Sequence, residues 1–168
     1  MSLCFRYLEE GDLPVICSWP QSPEELFFIA PQADFPLTPA QLQDIVSTRT
    51  ELTVAELNGR AVAFADFYVW GEDACTIGNV IVSDTVRGQG IGRKLIQRMI
   101  AVAFANYAAS EVRVSCFNHN VAGLLFYPKS GFEPYAIEQR QDKRGNHVAL
   151  VHLRLAKPAS KIGRYTDL

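Results

Sequence analysis

The chain lacks the features that would place it at a membrane or on nucleic acid. None of its 168 residues belong to an apolar run near the roughly 20 residues that a membrane-spanning helix needs. Its net charge of −2 and pI of about 5.9 provide no broad basic surface for nucleic acid. The first residues, MSLCFRYLEE, do not combine a charged segment with an apolar one, as a signal peptide does. We therefore expect a cytoplasmic protein with neither membrane nor nucleic acid as a partner.

Cysteine and histidine are too sparse to indicate a redox or metal centre. The four cysteines, Cys4, Cys17, Cys75 and Cys116, form no C-x-x-C pair, and three of them lie among apolar residues. This pattern is typical of free thiols in a reducing compartment. The three histidines show no spacing that suits zinc, so we expect no metal cofactor.

What is present has the composition of an ordinary globular domain, with 48% hydrophobic and 20% charged residues. Alternating apolar residues predict strands, and apolar residues three or four apart predict helices. The predicted strands cover residues 3–8, 52–57, 61–70, 74–83, 111–117, 132–139 and 147–155. The predicted helices cover residues 12–19, 38–47, 91–106 and 119–130. Residues 20–39 hold five of the nine prolines, which argues against long regular elements there.

Local signals refine several of these elements. Asp12 is a candidate N-cap, and Thr38 followed by Pro39 is another. Asn58-Gly59 between two apolar runs predicts a hairpin, and Gly78 within a strand indicates a bulge.

The order of the elements predicts one mixed α/β domain over residues 1–156. Strands two to four should form an antiparallel meander, and the helix after strand four implies a parallel pairing of strands four and five. We expect a central, mostly antiparallel sheet of about seven strands that is flanked by helices. Residues 157–168 form a polar tail without periodicity, compatible with disorder.

The most informative stretch is VRGQGIG at residues 86–92, between a short apolar strand and a long amphipathic helix. Glycine lets backbone N–H groups approach a ligand closely, and the first turn of a helix leaves N–H groups unpaired. Such a turn suits an anion, most naturally a phosphate or pyrophosphate. Neither G-x-G-x-x-G nor the P-loop pattern fits, and R-x-x-G-x-G remains. Taken alone, this pattern is equally compatible with a glycine-rich turn that binds nothing.

A second constellation is NHNVAGLLFYPKSGF, residues 118–132. Asn120 and Tyr127 are seven residues apart, so both can lie on roughly one side of a helix. Gly131 is suited to end that helix in left-handed geometry, and Phe132 begins a strand. Pro128 disfavours the helical conformation at Tyr127, so we expect a kink there.

The two motifs together resemble the GNAT superfamily of acetyl-CoA-dependent N-acetyltransferases. The first match consists of Val82, Arg87, Gly88, Gly90, Ile91 and Gly92. The second, more approximate match consists of Asn120, Gly123, Tyr127, Lys129, Gly131 and Phe132. The order of the elements along residues 3–155 is also similar to that fold. Asp84 differs, because proline is common at this position in the family.

The resemblance implies a V-shaped splay between strands four and five that receives acetyl-CoA as co-substrate. The implied cofactor-binding residues are Val80, Ile81, Val82, Arg87, Gly88, Gln89, Gly90, Ile91, Gly92, Arg93 and Asn120. Loop amides would hold the pyrophosphate, the strand edge would pair with pantetheine, and an N–H near Val82 would polarise the thioester carbonyl. Tyr127 would protonate the leaving thiolate as a general acid; the alternative is a buried packing tyrosine.

The resemblance leaves the base and the acceptor open. Glu72, Asp73 and Asp66 are candidate bases, and water leading to bulk solvent is an equal alternative. The main hypothesis is transfer to a primary amine of a small molecule or peptide. The alternatives are an acyl-CoA-binding or sensing module without turnover and a protein N-terminal acetyltransferase.

The acceptor should be selected by residues 20–39 and the loop at 140–147. In the first of these segments Glu24, Glu25 and Asp34 could attract a cationic amine, although simple solvation explains them equally well. The sequence also leaves the oligomeric state open, with a homodimer as one option.

Overall fold

The computed structural model describes residues 2–159, which form one seven-stranded sheet with helices on both faces. The strands are β1 (Leu3–Tyr7), β2 (Thr50–Leu57), β3 (Arg60–Val69), β4 (Ala74–Val82), β5 (Glu111–Phe117), β6 (Glu133–Gln141) and β7 (His147–Ala156). The helices are α1 (Asp12–Cys17), α2 (Pro23–Ile29), α3 (Pro39–Val46), α4 (Ile91–Asn106) and α5 (Val121–Lys129).

The sheet has the order β1-β2-β3-β4-β5-β7-β6, and β4 and β5 are its parallel neighbours. All other neighbouring pairs are antiparallel. The crossover between β4 and β5 is α4, since a parallel pair needs a long connection. The predicted mixed α/β class, the antiparallel meander and the single parallel pair are therefore confirmed.

Two hydrophobic clusters, one on each face, hold the helices against the sheet. The first includes the buried line of α4, namely Leu95, Ile96, Met99 and Ala103, packed with β5 residues such as Val112 and Val114. The second joins α1, α2 and α3 to β2, β3 and β4. Strand β3 contributes Phe64 to one cluster and Phe67 to the other. A central strand buried on both faces explains its continuous apolar sequence.

Several local predictions hold. Asn58 and Gly59 both have positive φ, of 51° and 79°, as the two-residue hairpin between β2 and β3 requires. The Thr38 side chain accepts a hydrogen bond from the Gln41 amide, and Pro39 begins α3. The bulge signal at Gly78 is also correct, because the β3–β4 register shifts beside it and Asn79 has φ 49°.

Other local predictions are wrong. Asp12 is the first residue of α1 and not its N-cap, because Arg6 and the Glu9 amide occupy its carboxylate. The helix α1 also ends at Cys17, two residues before the predicted end. By contrast, the only complete helix in residues 20–39 is the short α2, of seven residues, which is compatible with the prediction of no long regular element there. Ser22 caps this helix and Pro23 stands at its first position, where proline is tolerated.

Two negative findings apply to residues 2–159. No helix in this range has the length and apolar character needed to cross a membrane. The same range holds no cluster of three or more His, Cys, Asp or Glu side chains that could bind a metal. Most of the tail predicted at 157–168 lies outside the described residues, which end at Ala159.

Candidate active site

The candidate site begins where β4 and β5 separate. Their pairing covers three positions, from Ala74–Glu111 to Thr76–Arg113, and the remainder of β4 has no β5 partner. The Ser83 amide bonds to Val62 on the β3 side. Since successive strand N–H groups alternate in direction, the Val82 N–H points into the gap. The splay predicted between strands four and five is thus present, with a free backbone edge along it.

The glycine-rich loop follows this edge directly. Gly88 and Gly90 have φ of 76° and 81°, and Gly90 is the N-cap of α4. The backbone amides of residues 88–93 donate no hydrogen bond to any residue that the structure describes. Six consecutive unpaired amides at a helix N-terminus form a strong anion-binding arrangement.

A cavity of about 610 Å³ joins the loop to the gap. Its lining includes Val80, Ile81, Val82, Arg87, Gly88, Gly90, Ile91, Gly92, Arg93, Asn120 and Tyr127, which are all the residues predicted for the site except Gln89. Gly92 allows a close approach here, because a Cβ atom would lie 3.3 Å from a methyl group of Val82. The structure therefore brings the two sequence motifs to one cavity, while their binding roles stay predictions.

One wall of this cavity comes from α2, through an ion pair that the sequence did not indicate. The Arg87 guanidinium pairs with Glu25 and also donates to the Val82 carbonyl at 3.1 Å. Glu25 lines the cavity as well. Glu25 therefore faces the loop, which does not match its suggested role in attracting an amine.

The second motif lies at the opposite wall. Asn120 is the N-cap of α5, and its side-chain oxygen accepts from the Gly123 amide at 3.1 Å. The expected kink at Tyr127 does not end the helix, which continues through Pro128 to Lys129. Gly131, with φ 94°, ends it as predicted. Pro128 has no N–H to donate to the Leu124 carbonyl, so the last turn of α5 lacks one intrahelical hydrogen bond.

Tyr127 is buried between two aromatic rings. Phe126 and Phe132 pack edge-on against it, with ring centroids 5.2 and 5.9 Å away. Its hydroxyl makes no hydrogen bond within residues 2–159. Burial raises the pKa of this phenol above its usual value, so the group stays protonated at neutral pH. An unpaired hydroxyl that lines the cavity can donate a proton, although the raised pKa makes this phenol a weaker acid than an exposed tyrosine.

A second cavity, of about 330 Å³, meets the first at Tyr127. The two share Phe28, Ile29, Val80, Asn120 and Tyr127 as lining residues. The smaller cavity is further lined by Pro31, Gln32, Arg49, Tyr68, Ile77, Gly78, Asn79, Ser115, Phe117, Arg140 and Leu150. The site therefore has two chambers that meet beside the Tyr127 side chain.

None of the three candidate bases lines either chamber. Glu72 and Asp73 lie at the opposite end of β4, where their carbonyls accept from Ser110. Asp66 is fully buried behind Gly78. Its carboxylate accepts a hydrogen bond from the Asn79 side-chain amide at 2.6 Å and lies 3.8 Å from the Arg49 guanidinium. Burial raises the pKa of Asp66 to about 6, opposed in part by Asn79 and Arg49.

Sequence reasoning missed the residues that shape the smaller chamber. Arg49 follows α3, Tyr68 is on β3, Ser115 is on β5 and Arg140 is on β6, so no single stretch contains them. The one available signal was the aromatic cluster in residues 20–39. Of these, Phe28 reaches the cavities, whereas Phe27 packs against Phe117.

Comparison with known families places this chain in a class of enzymes. The family model described as acetyltransferase (GNAT) family matches residues 13–132. The chain belongs to this family of acyltransferases.

Solved structures agree on the fold. A protein assigned as a phosphinothricin N-acetyltransferase has a TM-score of 0.76 and 24% identity, covering 94% of this chain and 100% of its own. The yncA protein of Salmonella typhimurium, solved with acetyl-CoA, has a TM-score of 0.72 and 19% identity, covering 95% and 99%. A Vibrio cholerae spermidine N-acetyltransferase, solved with CoA and spermine, has a TM-score of 0.74 and 15% identity, covering 92% and 95%.

Proposed function

We propose that the chain transfers the acetyl group of acetyl-CoA to a primary amine of a small molecule or peptide by direct attack. The observation that carries this proposal is the meeting of the two cavities at Tyr127. One cavity ends at six free backbone amides, and the other is a separate chamber for an acceptor. Two reactants brought together in this way need no covalent enzyme intermediate.

The residues of the larger cavity fit acetyl-CoA. Its diphosphate carries the negative charge that the free amides of residues 88–93 can accept. Its pantetheine amides can pair with the free β4 edge at Val80–Val82. Asn120 lines the same cavity and would contribute a further hydrogen bond from its side-chain amide.

Acetyl-CoA supplies an activated thioester, whose C–S bond breaks as the amine nitrogen forms the amide bond. In this proposal Tyr127 gives its proton to the departing thiolate, and the amine loses one proton to solvent or a base. The Val82 N–H, which points into the gap, would polarise the carbonyl. Asp66, Glu72 and Asp73 do not line the cavities, which favours water as the path for the amine proton.

The walls of the smaller chamber favour a small acceptor over a protein N-terminus. Phe28, Ile29 and Pro31 close one side, and Asp34 reaches Lys143 at 3.1 Å across to the β6–β7 turn. A protein N-terminus would need a cleft that is open at this point. Relatives in fold are named for phosphinothricin, for spermidine and for ribosomal-protein alanine, so the support for a small acceptor comes from the chamber walls.

The test is an assay of thiol release from acetyl-CoA with a panel of amino acids, polyamines, aminoglycosides and peptides. We expect acetyl-CoA to raise the melting temperature and at least one amine to give stoichiometric thiol and amide. Acetyl-CoA binding without transfer to any amine would instead support an acyl-CoA-binding or sensing module. Transfer to peptides alone would favour the protein N-terminal alternative.

A further inference from the structure

The chemistry of the smaller chamber points to the class of acceptor. Its walls combine apolar and aromatic residues, Phe28, Pro31, Tyr68 and Phe117 among them, with polar ones such as Gln32, Asn79 and Ser115. Within the described lining no carboxylate is present, and the cationic groups are Arg49 and Arg140. A chamber for a polyamine would be expected to present carboxylates, since opposite charges attract. The charged residues that line this chamber are instead positive.

Arg49 is the more informative of the two arginines. Its side chain is only 16% exposed, yet its guanidinium donates no hydrogen bond to any other residue within 2–159. The guanidinium carbon lies 5.0 Å from the centroid of the Tyr68 ring, and a guanidinium nitrogen lies 3.8 Å from an Asp66 carboxylate oxygen. A guanidinium carries five N–H donors, and the Arg49 nitrogens are not sealed off from solvent, so these donors are free to bind a ligand in the chamber.

Gly78 allows this arrangement. A Cβ atom at residue 78 would lie 2.7 Å from a ring carbon of Tyr68 and 3.1 Å from a guanidinium nitrogen of Arg49. Both side chains therefore approach β4 at a position where a side chain larger than that of glycine would clash with them. Asp66, behind them, partly balances the Arg49 charge and holds the guanidinium in place without accepting a hydrogen bond from it.

Arg140 reaches the same chamber from β6, on the other side of the gap. It pairs with Glu138 on its own strand at 2.8 Å, and both partners are about half exposed. Such an exposed pair contributes little energy and exchanges readily with another anion. The lining therefore includes one guanidinium without hydrogen bonds and one with an exchangeable partner.

We propose that the smaller chamber binds an amine that also carries a carboxylate, an amino-acid-like acceptor with an apolar side group. Its carboxylate binds Arg49 and Arg140, its apolar group packs on the aromatic walls, and its amine lies toward Tyr127. Arginine forks bind carboxylates through paired, charge-assisted hydrogen bonds, which accounts for two arginines in place of lysines. This inference rests on the proposed acetyl transfer, but its binding step can be tested separately.

The experiment compares each amino acid with the amine that lacks only its carboxylate. Phenylalanine is paired with phenethylamine, leucine with 3-methylbutylamine, and spermidine serves as a polycation. Binding to the CoA-saturated protein is measured by calorimetry, and transfer is measured by thiol release. We expect the amino acids to bind roughly 10- to 100-fold more tightly than their decarboxylated partners, with spermidine weakest.

Two variants and one control assign this preference to the arginines. Arg140→Gln, and the double variant Arg49→Met with Asp66→Asn, should each remove most of the preference. Changing Asp66 together with Arg49 avoids leaving the buried Asp66 carboxylate without its charged partner, so we expect the double variant to fold. Arg98→Gln changes an exposed arginine on α4 outside the chamber and should leave the preference intact. CoA affinity, measured in all of them, should change less than about twofold.

The outcomes separate this inference from the proposed function. Equal binding of each amino acid and its decarboxylated amine, or tighter binding of spermidine, overturns the inference even if some amine is acetylated. A preference that survives both arginine variants also overturns it. Transfer to no amine, with the carboxylate preference still present in binding, overturns the proposed transfer and retains the carboxylate-binding chamber.

Discussion

The two chambers of the site are built in different ways. The larger cavity, the proposed cofactor chamber, takes most of its lining from one continuous stretch, residues 80–93, and its proposed ligands are chiefly backbone amides. The smaller cavity, the proposed acceptor chamber, collects side chains from α2, the loop after α3, β3, β4, β5 and β6. A backbone site depends on glycine geometry, whereas a side-chain site depends on which residues the fold happens to bring together. The first should tolerate side-chain changes, and the second should not.

The largest expected effect is at Tyr127, where the chambers meet. Tyr127→Phe removes the proposed acid and keeps the ring that packs on Phe126 and Phe132. We expect kcat to fall by about 10²- to 10⁴-fold with the KM for acetyl-CoA within about twofold. Steady-state thiol release measures both constants. Loss of acetyl-CoA binding in this variant would contradict the assigned role and favour a packing tyrosine.

The next largest effect tests whether the backbone amides of the loop bind the cofactor. Gly90→Val places a β-branched residue at φ 81°, which should turn the loop amides away from the ligand. We expect acetyl-CoA affinity to fall roughly 100-fold by calorimetry, the loss of about two charge-assisted hydrogen bonds.

The matched control is Gly145→Val in the β6–β7 turn. Gly145 has φ 82° and, like Gly90, has nothing within 4 Å of an added Cβ. Both variants should lose about 1–2 kcal/mol of stability from the left-handed conformation. Acetyl-CoA affinity should fall at Gly90 alone. An equal fall in both variants would mean that general destabilisation, and not loop geometry, controls binding.

The same contrast explains how much the sequence could predict. The glycines at 88, 90 and 92, the apolar strand before them and the helix after them lie together in the chain, so a spacing rule finds the chamber. The parallel pairing of β4 and β5 followed from the order of elements, whereas the splay was implied by the family resemblance alone. Tyr127 and Asn120 were found because they also belong to one short motif.

The acceptor chamber could not be predicted because its residues are distant in sequence. Arg49 and Arg140 are separated by 91 positions and become neighbours of one cavity only through the sheet order β5-β7-β6. The prolines also show the limits of local preference. Pro23 is at the first position of α2, where proline is tolerated, and α5 continues through Pro128 to Lys129 despite the missing N–H.

A third prediction concerns the electrostatics beneath the acceptor chamber. Burial raises the pKa of Asp66 to about 6, so the folded state binds this proton more tightly than the unfolded chain does. The contribution of Asp66 is therefore most favourable below its unfolded pKa and is lost as pH rises through about 6. The difference corresponds to about 3 kcal/mol at neutral pH.

Urea unfolding between pH 4 and pH 7 measures this contribution. We expect the free energy of unfolding to change less with pH in Asp66→Asn than in the unmodified protein, because the titrating group is gone. Asp34→Asn, at an exposed carboxylate paired with Lys143, is the control and should follow the unmodified protein. Identical pH profiles in all three proteins would show that Asp66 keeps an ordinary pKa.

The smallest expected effect is at Glu25, whose side chain lies beside the glycine-rich loop of the cofactor chamber. Glu25 neutralises Arg87 at the mouth of the cofactor chamber, and this ion pair is partly exposed. Glu25→Gln should free the guanidinium for the cofactor's phosphates and raise acetyl-CoA affinity about two- to fivefold, the size expected of one such ion pair.

Glu24→Gln, one residue earlier and outside the cavity lining, should leave affinity unchanged. Calorimetry at low and high salt separates the two, because the gain at Glu25 should shrink as salt screens the freed charge. A loss of affinity in Glu25→Gln would mean that Glu25 positions Arg87 for binding, and then this chamber too would depend on side chains.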